Sequence, residues 1–479
     1  MLTLPTYVTK IIMLLQGAGY EAHVVGGAVR DLLLGRLPED YDVTTNAQPD
    51  AIIELAQANK IVVVDKLGYN FGVVLLLSDG YGIEVATYRG ERYGRDAHKP
   101  EQVWYCQTLR EDLARRDFTI NALALDNSGN ILDYFGGRED LKAKVLRTVG
   151  EAQVRFAEDG LRMFRACRFV AQLNLNYQGS LQFPLERVQG LALERVRIEL
   201  EKTLLAPAAA KGLRLLGVTG LLSTSCQARV AGNVEQVALL PELEHLQALP
   251  QNPRFHCYDV WEHTLAAVAG VAPSLVLRWA MLLHDVGKGL AGVRQLTAAG
   301  QPSDHGHERQ SAVLAQAILV RLGYKASFVQ RVTWLVSRHM RFAPLLLTGE
   351  KSLYHWVRKE AQSGCFRYQW ELVEAFTQLV QVFLADMGAT QAGKNSELMD
   401  SGIALGERVL ALARQMPVHT SDLALTGGAV AAVVGTQQQV GVVLRLLLLR
   451  VQSGELPNTQ AELLQATTLW HQKQQRRSF

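Results

Sequence analysis

Three groups of residues in this chain have types and spacings suited to chemistry. The first is VVGGAVRDLLLGRLPEDYDV, which places Gly26 and Gly27 ahead of a helical stretch, Arg30 inside it, and Asp40 and Asp42 on the following strand. Carboxylates separated by one residue on a strand share a face. Such a pair can clamp the two cations that metal-assisted phosphoryl transfer holds about 3.5–4 Å apart. Glu84, in GIEVATY, offers a third carboxylate from a neighbouring strand. A Gly-Gly turn lets backbone N–H groups approach phosphate oxygens at a helix N-terminus, where the dipole favours anions. Taken singly, these are a tight turn and surface carboxylates. Their strand–turn–helix–strand order favours the joint reading.

The second group is carried by LARRDFTINALAL, which sets Arg115, Arg116, Asp117, Thr119 and Asn121 in an otherwise apolar segment. It reads either as a helix capped by Asp117, or as arginines on phosphates with Asp117 on a ribose hydroxyl. FAEDGLRMFRACRFVAQL reads as one helix with Leu161, Phe164 and Phe169 toward a core. Glu158, Asp159, Arg162, Arg165 and Arg168 recur at three- and four-residue spacings on its other side. They make a solvated ion-paired face, or fixed acceptors and forked donors able to read the edge of a base. The third group is spread over HCYDVWEHTL, LLHDVGKG, DHGHERQS, VSRHMRF and FLADMGAT, and offers His263, His284, Asp285, His307, His339 and Asp386. Lys288 orients a phosphate there or is a plain loop lysine; His256 and His305 read as bystanders.

These groups need different scaffolds. From residue 1 to about 140 helical and strand periods alternate, which predicts a small α/β domain. After about 145 strand signals almost vanish, and Leu, Ala, Arg, Glu and Gln recur at helical spacing. The 479 residues exceed one core. Breaks in pattern divide them into a head (1–145), a helical neck and body (146–245), a metal-binding region (246–395) and a helical tail (396–479). A net charge of +3 does not announce a nucleic-acid partner by itself. Five scattered cysteines without a Cys-x-x-Cys pair argue for a reducing compartment. The N-terminal segment reads as an amphipathic helix rather than a signal peptide, and VGVVLRLLLLRV is too short and too charged to span a bilayer. A cytoplasmic protein without a membrane partner is expected.

GGAVRDLLLG…EDYDVTT, RRDFTINALALD, DYFGGREDLKAKVLRTVG, RFAEDGLRMFRACRF and LERVRIELEKTLL occur in this order over roughly the first 220 residues. Together they resemble the class II tRNA nucleotidyltransferase and poly(A) polymerase family, which includes CCA-adding enzymes. The resemblance implies a polymerase-β-like α/β head with a small mixed sheet, followed by an all-α neck, body and tail. It implies that Asp40 and Asp42 hold catalytic Mg²⁺, with Gly26, Gly27 and Arg30 near a triphosphate. Arg116, Asp117 and Asn121 match the motif for ribose and phosphates. Glu158, Asp159 and Arg162 match the motif in which side chains select C and A, with Arg165 following in the same stripe. Gly160 stands where Ala or Pro is expected, and a helix-interior glycine costs up to about 1 kcal/mol. YRGERYGRDAHKPEQVWYC matches the family's flexible loop, with Glu91, Arg92, Arg95, Asp96 and Lys99, which favours addition of the terminal A.

The histidine segments resemble the HD domain, a helical fold that binds one or two divalent metals and hydrolyses phosphoesters. Imidazole with carboxylate suits Mn, Ni, Fe, Co or Zn more than Ca. The tail contains GELPN, similar to a stretch in the tail of bacterial CCA-adding enzymes, but lacks an acidic residue expected near LTGG. The leading expectation is Mg²⁺-dependent addition of CCA, or its terminal A, to tRNA 3′ ends from CTP and ATP, with arginines between Arg147 and Arg197 on RNA phosphates. The alternatives are a bacterial poly(A) polymerase, an HD phosphohydrolase with a nucleotide- or RNA-binding head, and a tRNA-binding scaffold without activity. The motifs leave open whether CTP is used, and leave the oligomeric state undetermined.

Overall fold

Alternating apolar residues in AHVV, DVTT, VVLLLS and YGIEVAT lay down the central strands of a mixed sheet in the computed structural model, which describes residues 2–65, 72–94, 100–230, 232–346 and 349–477. Arg95, Asp96 and Lys99 of the loop segment lie outside the described residues. The chain divides into two units, Met1–Glu244 and His245–Phe479.

The first unit opens with α1 (Thr6–Gly17), β1 (Ala22–Val25), α2 (Gly27–Leu33), β2 (Asp42–Thr45), α3 (Pro49–Ala58), β3 (Val62–Asp65), β4 (Val73–Ser78) and β5 (Tyr81–Thr87). The hairpin β6 (Arg89–Tyr93) and β7 (Pro100–Tyr105) follows, then α4 (Leu109–Ala114), β8 (Leu123–Leu125), β9 (Ile131–Asp133) and α5 (Gly137–Ala143). Seven strands form one sheet in the order β3-β4-β5-β2-β1-β8-β9. Strand β2 pairs parallel to β5 and antiparallel to β1. Val24, Val43, Ile83 and Val85 are fully buried in this sheet. This is the expected α/β head of polymerase-β type.

The helical part begins after the short pair β10 (Val145–Leu146) and β11 (Asn176–Tyr177), with α6 (Ala152–Glu158) and α7 (Leu161–Leu173) between them, followed by α8 (Leu193–Leu204) and α9 (Ala209–Val218). Two expectations need correction here. The segment 156–173 is not one helix: Asp159 is extended (φ −137°, ψ 108°) and Gly160 precedes the first residue of α7. The run after 220 is not wholly helical, because β12 (Ser225–Val230) and β13 (Asn233–Ala238) form a hairpin. Its sequence signal is Gly232–Asn233 between alternating residues.

The second unit contains α10 (Val260–Gly270), α11 (Leu275–Leu283), α12 (His307–Arg321), α13 (Ala326–Arg338), α14 (Phe342–Leu345), α15 (Glu350–Ala361) and α16 (Gln369–Gly388). Its last helices are α17 (Ser396–Gln415), α18 (Gly427–Val434), α19 (Gln437–Gln452) and α20 (Gln460–Arg477). Among the described residues no single helix is long and apolar enough to cross a membrane; α18 and α19 pass that test only as a pair bent by 118°. Val430, Val434, Val443 and Leu447 of that pair pack into one apolar cluster with Leu463 of α20.

Candidate active site and metal centre

Strand register builds the carboxylate group. Asp42, the first residue of β2, faces Val25 across one ladder and Glu84 across the other. Strand pairing starts at Asp42, so Asp40, expected on the strand, lies exposed just outside it. Burial, then Asp40 and Glu84 beside it, push the Asp42 carboxyl up to about 6 against the opposing pull of Arg116. Three acidic side chains brought this close are a donor set of hard oxygens for a divalent cation. The residues fit the metal that the motif implies.

Behind the carboxylates lies the Gly-Gly turn. Gly26 has φ +73°, and a Cβ there would stand 2.9 Å from Arg116 Nη1. The absent side chain therefore lets the Arg116 guanidinium lie against the turn. Arg116 and Arg115 are both held by Asp112, a fully buried carboxylate that also accepts from Thr44 Oγ1 on β2 (3.1 Å). Asp112 was not legible in advance, since a buried acid in EDLARRD looks like any exposed one until its partners close around it. Arg30 is fully engaged at its edge: Nε and Nη2 donate to Asp31 (both 2.9 Å), and Nη1 donates to Asn121 Oδ1 (2.7 Å).

Asp117 does not cap a helix; it precedes a short 3₁₀ turn at Thr119–Asn121. Its Oδ1 accepts from Phe118 N (2.8 Å) and Asn121 Nδ2 (3.1 Å), and its Oδ2 accepts from Arg165 Nε (2.7 Å). Burial would raise this carboxyl; Arg165, Asn121 and Arg162 more than offset that and hold it at about 2. Glu158 Oε2 accepts from Arg155 Nη1 (2.8 Å) and Arg162 Nη1 (2.6 Å). Arg162 Nη2 also reaches the carbonyl of Arg115 (3.0 Å). Arg162 and Arg168 are buried, so they are not part of a solvated face. Asp159 turns its Oδ1 to Leu161 N (2.9 Å) at the helix break. Gly160 is not helix-interior, which corrects the cost assigned to it: a Cβ there would meet the Arg187 carbonyl oxygen at 2.8 Å. The first unit thus brings Asp40, Asp42 and Glu84 together beside Arg116, and links Arg30, Asn121, Asp117 and Arg165 in a hydrogen-bonded chain of their own.

The six histidine-segment residues converge in the second unit. His263 lies on α10, His284 just past α11, His307 at the start of α12, His339 just past α13, and Asp386 on α16. Two sets of potential ligands form, His263 with His284 and Asp386, and Asp285 with His307 and His339. Asp285 joins them, with Oδ2 3.2 Å from His284 Nε2 and Oδ1 2.9 Å from His307 Nε2. Each imidazole places Nδ1 against a backbone carbonyl: Ala389 for His263, Met281 for His284, Asp304 for His307 and Val336 for His339. With the proton on Nδ1, every Nε2 lone pair turns inward, as in histidines held for a metal. The Nε2 atoms of His263 and His284 approach to 3.2 Å, as do those of His307 and His339. Paired lone pairs at that distance need a cation or a shared proton between them, so the donor set fits divalent metal. Burial would raise Asp285; His284, Lys288 and His307 hold it well below the usual carboxylate range. Lys288, in the turn after α11, is buried with Nζ 2.6 Å from Asp285 Oδ2, so it is not a solvated loop lysine. His256 packs edge-on against His263 at 5.2 Å, and His305 is exposed.

Comparison with known proteins follows the same division. The Poly A polymerase head domain matches residues 22–147, and the HD domain matches 255–364. A CCA-adding enzyme of Geobacillus thermodenitrificans is 43% identical over 215 residues, 44% of this chain and 52% of the relative. That of Lactobacillus johnsonii is 40% identical over 273 residues, 53% of this chain and 67% of the relative. The chain belongs to the tRNA nucleotidyltransferase and poly(A) polymerase family. Membership implies use of a divalent metal. The match spans about half the length of the first relatives, 51–52% of each. Beyond it the fold carries the likeness. The crystal structure of Bacillus stearothermophilus CCA-adding enzyme in complex with CTP shares 24% identity at a TM-score of 0.61, over 98% of both chains. Thermotoga maritima CCA-adding enzyme complexed with tRNA shares 19% identity at a TM-score of 0.56, over 96% of this chain and 93% of that one. The HD match ends before Asp386, which only folding brings to the histidines.

Proposed function

We propose that this protein is a template-independent tRNA nucleotidyltransferase that adds CCA, or its terminal A, to tRNA 3′ ends from CTP and ATP and releases pyrophosphate. The observation that carries this is the adjacency of Asp42 and Glu84 across paired strands, with Asp40 beside them and Arg116 against the Gly-Gly turn. In this reading residues 1–145 carry the chemistry, 146–245 select the nucleotide and bind RNA, 246–395 hold the second metal centre, and 396–479 grip tRNA. The location is cytoplasmic, where tRNA is processed.

Asp40, Asp42 and Glu84 would hold Mg²⁺. When bound, the metal supplies activation of the primer 3′-hydroxyl and charge stabilisation at the α-phosphorus and the pyrophosphate. The backbone around Gly26 and Gly27, with Arg116, orients the triphosphate. Asp117, kept ionised by Arg165, accepts from a ribose hydroxyl. Arg30 fixes the Asn121 amide through its Oδ1, so that the Nδ2 end points to Asp117. Glu158 and Arg162 already pair, which sets an acceptor and a donor side by side for the edge of C or A. Purified protein given tRNAs lacking the final three nucleotides, or only the last, with CTP or ATP alone tests the proposal. Incorporation of one to three nucleotides is expected, and long A-tails would point to poly(A) polymerase instead. No incorporation of either nucleotide, or full activity in Asp42→Ala, overturns it.

The inward-facing histidines favour a second reading alongside the first, a metal-dependent phosphohydrolase site in the HD domain. Its ligands would be His263, His284, Asp285, His307, His339 and Asp386, holding Mn, Ni, Fe, Co or Zn. Release of phosphate from small phosphoesters, lost in His284→Ala but kept in Asp42→Ala, is expected. Release that survives His284→Ala would count against it.

A further inference from the structure

One aromatic side chain in the first unit carries more than its own packing. Phe169 of α7 is 5% exposed, and three guanidiniums surround its ring. The central carbons of Arg30, Arg165 and Arg168 lie 5.3, 5.5 and 4.4 Å from the ring centroid. All are within the roughly 6 Å at which a ring quadrupole attracts a cation. Phe118 meets the same ring edge-on at 5.6 Å.

Each guanidinium spends its edge elsewhere. Arg30 is hydrogen-bonded to Asp31 and Asn121 and Arg165 to Asp117, while Arg168 forms an ion pair with Glu199 of α8 (Nε to Oε2 3.0 Å). The first two edges belong to one hydrogen-bonded chain, Arg30–Asn121–Asp117–Arg165. The two ends of that chain meet again at the Phe169 ring. The ring therefore closes a circuit whose middle members, Asn121 and Asp117, are the proposed ribose-reading pair. Arg30 comes from α2 and Arg165 from α7, so the shared ring is a second link between the two helices beside the hydrogen-bonded chain. A neutral aliphatic residue would fill the volume. It would leave three like charges crowded together without the negative ring face that offsets their repulsion.

We propose that Phe169 is a positioning residue for nucleotide binding, acting through cation–π contact with Arg30 and Arg165 to hold Asn121 and Asp117 in register. This rests on the nucleotidyltransferase reading above. The alternative is that Phe169 only fills core volume.

Fluorination separates the two, because successive fluorines empty the ring face of negative charge while leaving the side chain apolar and nearly unchanged in shape. The full-length protein would carry mono-, di- and trifluorophenylalanine at position 169. Equilibrium binding of CTP and ATP, steady-state addition to truncated tRNA and melting temperature are then measured. The proposal expects nucleotide Kd and KM to rise stepwise, by about fivefold to tenfold at three fluorines. It expects kcat to change less than about twofold, with the preference for ATP over 2′-deoxyATP declining in step. A flat series in Kd, KM and sugar preference overturns it, as does a series that tracks melting temperature alone. Phe169→Tyr, which keeps the ring face, should bind nucleotide more tightly than Phe169→Leu; equal binding counts against the proposal. A wild-type protein that binds neither nucleotide overturns the function reading and this inference with it, whereas normal wild-type binding with a flat series overturns this inference alone.

Discussion

Asp42, proposed to hold metal, carries a cost in stability. Its carboxyl is raised from 3.8 to about 6, so folding favours the protonated form. The ionised form is a burden that grows as pH rises from about 4 to 6 and is complete above that. By the usual conversion this amounts to about 3 kcal/mol. In the absence of divalent cations, Asp42→Asn should melt higher than wild type at pH 7–8 and lose that advantage near pH 4. Added Mg²⁺ should raise the melting temperature of wild type more than that of the variant, while nucleotide addition is lost in the variant. Asp117 has the opposite sign. Its carboxyl is lowered to about 2, so its ion pair with Arg165 stabilises the fold above about pH 4 and fades as pH falls toward 2. The difference in unfolding free energy between wild type and Asp117→Asn should hold near about 2 kcal/mol at neutral pH and shrink through that window. A difference that is constant down to pH 2 would contradict the ion pair as its source.

At the scale of elements, the break between α6 and α7 sets how Glu158 and Arg162, the residues proposed to read the base, are presented. The pattern of RFAEDGLRMFRACRF is continuous at helical period, which is why one helix is the natural reading. The break comes from outside the segment. The carbonyl oxygen of Arg187 sits 2.8 Å from where a Cβ on residue 160 would be, Arg187 Nη2 donates to the Glu158 carbonyl (3.3 Å), and Asp159 Oδ1 accepts from Leu161 N. Local propensity cannot report a backbone arriving from residue 187. Gly160→Ala should therefore destabilise the protein by about 1–3 kcal/mol despite alanine's better helix propensity, because a backbone atom must move. It should also change the CTP-to-ATP preference, read by single-nucleotide incorporation. A neutral or stabilising effect with unchanged preference would show that the approach is soft. The hairpin at 225–238 is hard to read from the sequence for a related reason, since its alternation is short and lies in a helical neighbourhood.

For the whole molecule, the head and HD centres lie in separate units, each built from its own core. Metal analysis of the purified protein should find a transition metal bound in the second unit, reduced by at least half in His284→Ala. CCA or A addition should persist in that variant to within about threefold of wild type. Loss of addition together with the metal would mean that the two centres are coupled.

Residue types, their order and their local spacing determined the family, the α/β-then-α plan and the candidate residues themselves. Arg116 next to Asp117, or His284 next to Asp285, is visible from neighbours in the chain. Tertiary structure alone decided which of them meet. Asp42 and Glu84 become neighbours through parallel strand pairing, Asp386 reaches His263 from another helix, and Asp112 becomes a buried anchor rather than a surface acid. The same holds for Phe169, which by sequence is one more apolar residue on a helix and by structure is the ring that three arginines share. Burial and charge depend on which distant segments pack together. No spacing along the chain encodes that directly.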